Sequence, residues 1–147
     1  MKEINFREKS KYDGTWCYGI PVYTKFGCDY MINNTVSPDF YNSRLTFPMG
    51  SAVPCDEKTR GSETCFTDSK GVVIFDGDII SDPKDSEYNN KHLVSFSEKD
   101  GYFHVILLPF RKGHACDGPL TQGWIDDFKK EIIGNKFDNP ELLNGKK

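Results

Sequence analysis

The stretch from Asp68 to Ile80 constrains the fold more than any other part of the sequence. It reads Asp-Ser-Lys-Gly-Val-Val-Ile-Phe-Asp-Gly-Asp-Ile-Ile. Asp68 and Gly71 bound a turn, because Asp favours the first position of a turn and Gly accepts a positive φ. The next four residues are β-branched or aromatic and predict a strand. Asp76-Gly77-Asp78 then breaks this strand, and two isoleucines begin another. The stretch therefore predicts two short strands joined by a tight turn.

Similar short runs occur along the whole chain of 147 residues. Thirteen Gly and eight Pro separate them, and aromatic residues, which favour strands, make up 14% of the sequence. The length is that of one domain, so we expect a single domain over residues 1–147. These features predict a mainly β fold: small, barrel-like (SH3-like) antiparallel sheets with a short C-terminal helix.

Alternation with a period of two predicts a strand from Thr15 to Tyr23. Pro21 indicates that this strand lies at a sheet edge or contains a bulge. Turn residues and a further run from Asp29 to Asn33 complete a hairpin. One face of the first strand carries Trp16, Tyr18, Ile20 and Val22. We interpret this face as part of the core, and a base-stacking surface is the alternative.

A second hairpin is predicted from Leu93 to Leu108, with Gly101 in its turn. The region 34–61 contains three prolines and many polar residues, so we interpret it as a long variable loop with at most one strand. Thr121 and Gly134 are suited to begin and end a helix. Helical spacing between them is shown by Leu120, Trp124, Ile125, Phe128 and Ile132.

Charge and hydropathy exclude several classes of protein. Nineteen basic and 22 acidic residues give a net charge of −3, which provides no general attraction to nucleic acid or to an anionic membrane. No apolar run approaches the roughly 18 residues that span a bilayer, and the charged N-terminus lacks the apolar core of a signal peptide. The five cysteines lack the paired spacing of a zinc site or a disulfide framework. We therefore expect a cytoplasmic protein with reduced thiols and no membrane partner.

Three blocks of sequence resemble the YopX family of phage and prophage proteins. The first covers Ile4–Ser10 and Asp13–Gly19, the second covers Thr64–Gly71 and Ile74–Ile80, and the third covers Ile133–Leu143. Within them, the structural signature consists of Asp68, Gly71, Asp76, Gly77, Asp78, Gly134, Asn135, Asn139 and Pro140. The chain departs from the family pattern at Cys65, where the family usually has Gly, and at Lys136, where it usually has a hydrophobic residue.

The resemblance implies a mainly β accessory protein, encoded by a phage or prophage and located in the cytoplasm of its bacterial host. The family has no assigned activity. We expect the protein to act by binding, either to itself as a homo-oligomer or to a host or phage macromolecule. We predict no catalytic residue, metal or cofactor.

Two alternative functions depend on particular side chains. Asp76 and Asp78, with Asp68 or Asp82, could bind Mg²⁺ or Ca²⁺ in a metal-dependent enzyme. We favour a structural role, in which Gly77 adopts a special backbone angle and Asp78 binds amides of the turn.

The other alternative is a nucleic-acid-binding small barrel. It would use a set of basic and aromatic residues: Phe6, Arg7, Lys9, Lys11, Tyr12, Phe110, Arg111 and Lys112. Acidic residues such as Glu8 and Asp13 interleave with this set, which favours a mixed, solvated surface.

Overall fold

The computed structural model describes residues 5–23, 29–32, 39–41, 44–46, 52–84, 90–109 and 118–144. The predicted mainly β fold is confirmed: strands dominate these ranges, their pairings are antiparallel, and helix is scarce. The chain divides into two compact units, Met1–Ser62 and Glu63–Lys147. The prediction of a single domain over 1–147 stays a prediction.

The first unit is built around a closed ring of four strands. β1 pairs with β2, β2 with β3, β3 with β6 and β6 with β1. This ring is the predicted barrel-like element. A separate two-stranded sheet joins β4 to β5. The strands are β1 (Phe6–Ser10), β2 (Trp16–Tyr23), β3 (Asp29–Ile32), β4 (Asp39–Tyr41), β5 (Arg44–Thr46) and β6 (Ala52–Thr67), of which β6 continues into the second unit.

The turn between β1 and β2 follows from its sequence. Gly14 has a φ of +71° and donates its N–H to the Ser10 carbonyl at 3.0 Å. Asp13 Oδ1 accepts the main-chain N–H of Thr15 at 3.0 Å and its hydroxyl at 2.7 Å. Because these hydrogen bonds favour the ionised carboxylate, they lower the pKa of Asp13 below its ordinary value.

β2 changes its partner at its midpoint. Its first half, from Trp16 to Gly19, pairs with β1, and its second half, from Ile20 to Tyr23, pairs with β3. Each half of β2 thus pairs on one side only within the described residues, which agrees with the edge position predicted from Pro21. Among the described residues, the half that contains Pro21 pairs with β3 alone, which suits a residue that has no N–H to donate.

The predicted loop over 34–61 is wrong in its second part, because β6 begins at Ala52 and runs for 16 residues. β4 and β5 also lie inside this region, whereas 33–38, 42–43 and 47–51 lie outside the described residues. The polar sequence of β6 concealed the strand. Where its register with β1 shifts, the Thr59 hydroxyl accepts the Lys9 N–H at 2.8 Å and donates to the Asp56 carbonyl at 2.7 Å. Side-chain hydrogen bonds thus replace part of the ladder.

The second unit contains a five-stranded sheet in the order β11-β10-β9-β8-β12, and β7 pairs with the end of β6. The predicted hairpin from Leu93 to Leu108 is confirmed as β9 and β10, with Gly101 at a φ of +75° in its turn. The elements are β7 (Val73–Phe75), β8 (Asp78–Ser81), β9 (His92–Ser97), β10 (Tyr102–Leu107), β11 (Gly118–Pro119), α1 (Gln122–Asp127), β12 (Glu131–Asn135) and a 3-10 helix (Pro140–Asn144).

Aliphatic side chains fill the interior of the second unit on both faces of β8. Ile80 belongs to one cluster and Ile79 to another, and each is 0% exposed. The second cluster also contains Leu93 and Leu108. The members of the first cluster are Ile74, Ile80, Val94, Val105, Leu120 and Ile125. β8 therefore contributes a fully buried side chain to each of the two clusters.

The predicted C-terminal helix is present but much shorter than expected. Thr121 caps it as predicted, accepting the Trp124 N–H on its hydroxyl at 3.2 Å. The helix ends at Asp127, after which Lys129 adopts a left-handed φ of +49°. Gly134 as the helix end is wrong, because it lies in β12. Ile132 matched the helical spacing because it packs against the same core from the following strand.

Candidate functional site

Asp68 connects the turn after β6 to strand β12. Its side chain is 5% exposed, and Oδ1 accepts the main-chain N–H groups of Lys70 and Val72, each at 2.9 Å. Oδ2 accepts the N–H of Ile132 at 3.2 Å. Gly71 closes the turn with a φ of +83° and an N–H donated to the Asp68 carbonyl at 3.0 Å. The carboxylate therefore occupies a hydrogen-bonding position on β12 that another strand could otherwise use.

Asp76-Gly77-Asp78 forms the turn between β7 and β8. Gly77 has a φ of +92°, donates to the Val94 carbonyl at 2.8 Å and accepts the Lys136 N–H at 2.9 Å. Asp78 is 1% exposed, and its Oδ2 accepts the Phe75 N–H at 2.8 Å, which agrees with the predicted amide-binding role. Asp76 is half-buried. Within the ranges that the structure describes, no three His, Cys, Asp or Glu side chains are grouped as metal ligands.

The block after Ile133 folds back on itself through two asparagines. Asn135 Oδ1 accepts the N–H groups of Phe137 at 3.0 Å and Asp138 at 2.9 Å. The Asn139 side chain lies so close to Gly134 that a Cβ on that glycine would be 2.4 Å from Asn139 Oδ1. Pro140 then begins the 3-10 helix. Gly134 is therefore required by close packing.

Signature residues of the second and third blocks lie opposite each other where β8 pairs with β12. Asn135 lies opposite Asp78, and Gly134 lies opposite Ile79. With the Gly77–Lys136 hydrogen bond, this arrangement joins the tight turn to the C-terminal fold-back. Most of the described hydrogen bonds of these residues involve main-chain groups, which agrees with a structural role for the signature in the second unit.

The departure from the family pattern at Cys65 has a structural counterpart. Cys65 has a φ of +68°, in the left-handed region that favours glycine. It lies where the β6–β7 register shifts, and the neighbouring Thr64 hydroxyl donates to the Ile74 carbonyl at 2.8 Å. The family glycine is thus explained by the backbone, and the thiol of Cys65 is exposed.

The face of β2 that was predicted to be core is exposed. Tyr18 is 50% exposed, Ile20 53% and Val22 37%. A ring of four strands encloses little space, so the inward positions of β2 carry the smaller Cys17, Gly19 and Pro21 instead. We call Tyr18, Ile20 and Val22 the β2 face.

Trp16 begins this row and is half-buried. The Arg7 guanidinium carbon is 4.5 Å from the centroid of its ring, and Lys9 Nζ is 5.4 Å away. Lys9 lies opposite Asp56 in the β1–β6 ladder, so a carboxylate accompanies this cationic group. Lys11 and Tyr12 of the predicted nucleic-acid set are exposed, while Phe110, Arg111 and Lys112 lie outside the described residues.

The interior of the ring contains charge and sulfur. Glu8 is 0% exposed and forms an ion pair with Arg60, whose guanidinium also donates to the Tyr23 hydroxyl and lies 4.9 Å from the Tyr23 ring centroid. Cys55 is 0% exposed. Sequence reasoning missed this interior; the available signal was that Glu8 and Ser10 alternate with Arg7 and Lys9, which lie on the other face of β1.

These observations define a class: a small, mainly β protein with a closed ring in its first unit and a turn-and-asparagine scaffold in its second. The chain belongs to the YopX family, since the family model, described as YopX protein, matches residues 5–144. The resemblance is thereby confirmed.

The crystal structure of protein EF1440 from Enterococcus faecalis is similar to this chain, with a TM-score of 0.66 and 22% sequence identity. The match covers 97% of this chain and 99% of that chain, and it shows a shared fold. No curated protein matches the chain. In the part of the chain that the structure describes, no helix has the length and hydrophobicity needed to cross a membrane.

Proposed function

We propose that the protein is a phage- or prophage-encoded accessory protein that acts by binding in the bacterial cytoplasm, and that it self-assembles through the β2 face. The observation that carries this proposal is the exposure of Tyr18, Ile20 and Val22. The three residues alternate on one strand and so extend over about 13 Å on a single face. Membership of the YopX family supports the phage origin.

The composition of the β2 face supports a protein partner. Large apolar side chains that are exposed together, rather than singly, mark interaction sites, and aromatic residues are enriched in protein interfaces. The basic Arg7 and the partly apolar Trp16 adjoin the row. A second copy of the chain presents the same apolar row, so the two surfaces are chemically matched.

Light scattering with size-exclusion chromatography tests self-assembly. We expect a mass that is a multiple of 16.8 kDa, and a shift toward 16.8 kDa for Ile20→Lys, which places a charge in the middle of the face. Val72→Lys is the matched control, because Val72 is 54% exposed but lies in the second unit. A wild-type mass of 16.8 kDa at high concentration would refute self-assembly. Pull-down from the host would then identify a macromolecular partner.

Nucleic-acid binding is the second candidate, and the position of Lys9 over the half-buried Trp16 ring favours it. The first unit is also less acidic than the second, with eight basic and seven acidic residues against eleven and fifteen. This candidate predicts a salt-sensitive gel shift with single-stranded DNA. The shift should weaken in Lys9→Gln and persist in Lys99→Gln, a control in the second unit. Absence of any wild-type shift at low salt would reject it.

A further inference from the structure

Two cysteines lie beside the same strand of the ring and on the same face of it. Cys17 of β2 is opposite Glu8 of β1, and Cys55 of β6 is opposite Ser10 of β1. Glu8 and Ser10 are two residues apart, so their side chains share a face of the sheet. Glu8 is 0% exposed, which identifies this face as the interior of the ring.

Because a ring of four strands encloses little space, side chains that point inward from the two strands flanking β1 lie near each other. Burial raises the pKa of Cys55, and the Cys17 thiol is accordingly among the other groups that raise it. Cys55 is fully buried, whereas Cys17 is partly exposed and also approaches the Thr15 carbonyl, with its Sγ at 4.0 Å. Solvent therefore reaches the Cys17 thiol, whereas the Cys55 thiol is enclosed in the ring.

We propose that Cys17 and Cys55 form a reactive pair that closes to an intramolecular disulfide on reaction with a low-molecular-weight disulfide such as oxidised glutathione. The partly exposed Cys17 reacts first with the small disulfide, and the buried Cys55 then reacts with the adduct on Cys17. This site is independent of the β2 face, because Cys17 lies on the opposite side of β2 from Tyr18 and Ile20.

The exchange balances in two steps. Cys17, as its thiolate, attacks one sulfur of the small disulfide; an S–S bond forms to Cys17, the original S–S bond breaks, and one small thiol leaves. Cys55 then attacks Cys17 Sγ, releasing the second small thiol, which takes up the Cys55 proton. Two protein thiols are oxidised and one small disulfide is reduced to two thiols. The two protein sulfurs must approach to about 2.0 Å for the bond to form.

The surroundings of Cys55 make the second step dependent on pH. Burial, the neighbouring Cys17 thiol and the Glu8 carboxylate raise the pKa of Cys55 to about 12. The other charged group beside this cluster is Arg60, which is paired with Glu8. Since the thiolate is the nucleophile, closure should accelerate as the pH rises toward that pKa.

Mass spectrometry of a two-cysteine variant tests the pair. Cys28, Cys65 and Cys116 are replaced by Ser, and the folded protein is incubated with oxidised glutathione between about pH 7 and pH 9. We expect a loss of about 2 Da, reversed by reductant, at a rate that increases with pH. Adding Cys55→Ser should instead trap a persistent glutathione adduct on Cys17. A persistent adduct or unmodified thiols in the two-cysteine variant would overturn the proposal.

Thermal unfolding of the oxidised protein is a second readout. The disulfide would close a loop of roughly 40 residues and restrict the unfolded chain, so we expect the Tm to increase by at least about 5 °C. An unchanged or lower Tm in the species that has lost about 2 Da would mean that the bond distorts the ring, and would contradict closure within the native structure. Because neither readout depends on oligomeric state, failure of this proposal and failure of self-assembly are distinguishable.

Discussion

The interiors of the two units contain different kinds of side chain. In the second unit, the strand β8 buries Ile79 and Ile80 between two aliphatic clusters. In the first unit, the ring buries Glu8 and Cys55, while Tyr18 and Ile20 face outward. The contrast is one of the interiors only, because both units expose large apolar side chains. The second unit is organised around aliphatic clusters, whereas the ring encloses a carboxylate and a thiol.

This difference indicates a division of roles. Burial of an aliphatic side chain stabilises a fold by about 1.5–3 kcal/mol, so the clusters of the second unit supply a large hydrophobic contribution. The signature residues Asp68, Asp78 and Asn135 add hydrogen bonds to the same unit. Both units expose large apolar side chains, and three of those in the first unit share one face of β2, which is why we propose this face as the binding surface.

The largest loss of stability is expected when the side chain of Ile80 is shortened. Ile80→Ala leaves a cavity in the first aliphatic cluster of the second unit, and we expect the free energy of unfolding to fall by about 3–4 kcal/mol. Urea unfolding followed by circular dichroism measures this loss. Ile133→Ala is the control, because Ile133 lies on β12 and is 36% exposed. A loss at Ile80 no greater than the control's would show that the aliphatic clusters do not carry the stability.

A somewhat smaller effect is expected in the ring. Glu8→Ala removes the partner of Arg60 from a fully buried position, and we expect a loss of about 2–3 kcal/mol in the same urea experiment. This expected loss is smaller than that for a fully buried ion pair, because the Arg60 side chain is 21% exposed and retains contact with water. The double variant Glu8→Leu with Arg60→Met should recover much of the loss, since it removes both charges. If the double variant is less stable than Glu8→Ala, the ion pair stabilises the protein by more than the burial of its two charges costs.

The same difference explains which predictions from sequence succeed. Turns were predicted well, because Gly71, Gly77 and Gly101 each mark a positive φ that depends on local chemistry alone. The hairpins followed from their alternation. The exposed side of β2 could not be predicted, since alternation reveals two faces but not which of them is inside. That choice depends on the closure of the ring through β6.

Two other errors have the same origin in tertiary structure. β6 lacks the apolar alternation of a strand because it lines a polar interior, where Thr59 supplies hydrogen bonds. Ile132 fits a helical pattern because β12 returns to the core that α1 packs against. The thiol pair was also invisible, because Cys17 and Cys55 come together only when two strands flank β1.

The variant Gly134→Ala tests whether the signature residues serve only to hold the fold of the second unit. The added methyl group would collide with Asn139, so we expect a loss of about 1–3 kcal/mol, measured by thermal or urea unfolding. Gly123→Ala is the control, because a Cβ at Gly123 meets nothing within 4 Å. If the signature serves only the scaffold, the purified Gly134→Ala protein that remains folded should keep the wild-type mass in light scattering. A change in mass without a loss of stability would instead place this block at an interface.

The smallest effect is expected at Cys65, and it has the opposite sign. A non-glycine residue at a φ of +68° is strained by roughly 1–2 kcal/mol, whereas glycine adopts this angle without a steric cost. Cys65→Gly should therefore stabilise the protein by about 1 kcal/mol, because the greater freedom of glycine in the unfolded chain offsets part of the gain. Cys65→Ala separates strain from thiol chemistry, since alanine keeps the Cβ and should give no comparable gain. Equal stabilisation by Ala and Gly would show that the thiol, and not the left-handed backbone, is the unfavourable feature of this position.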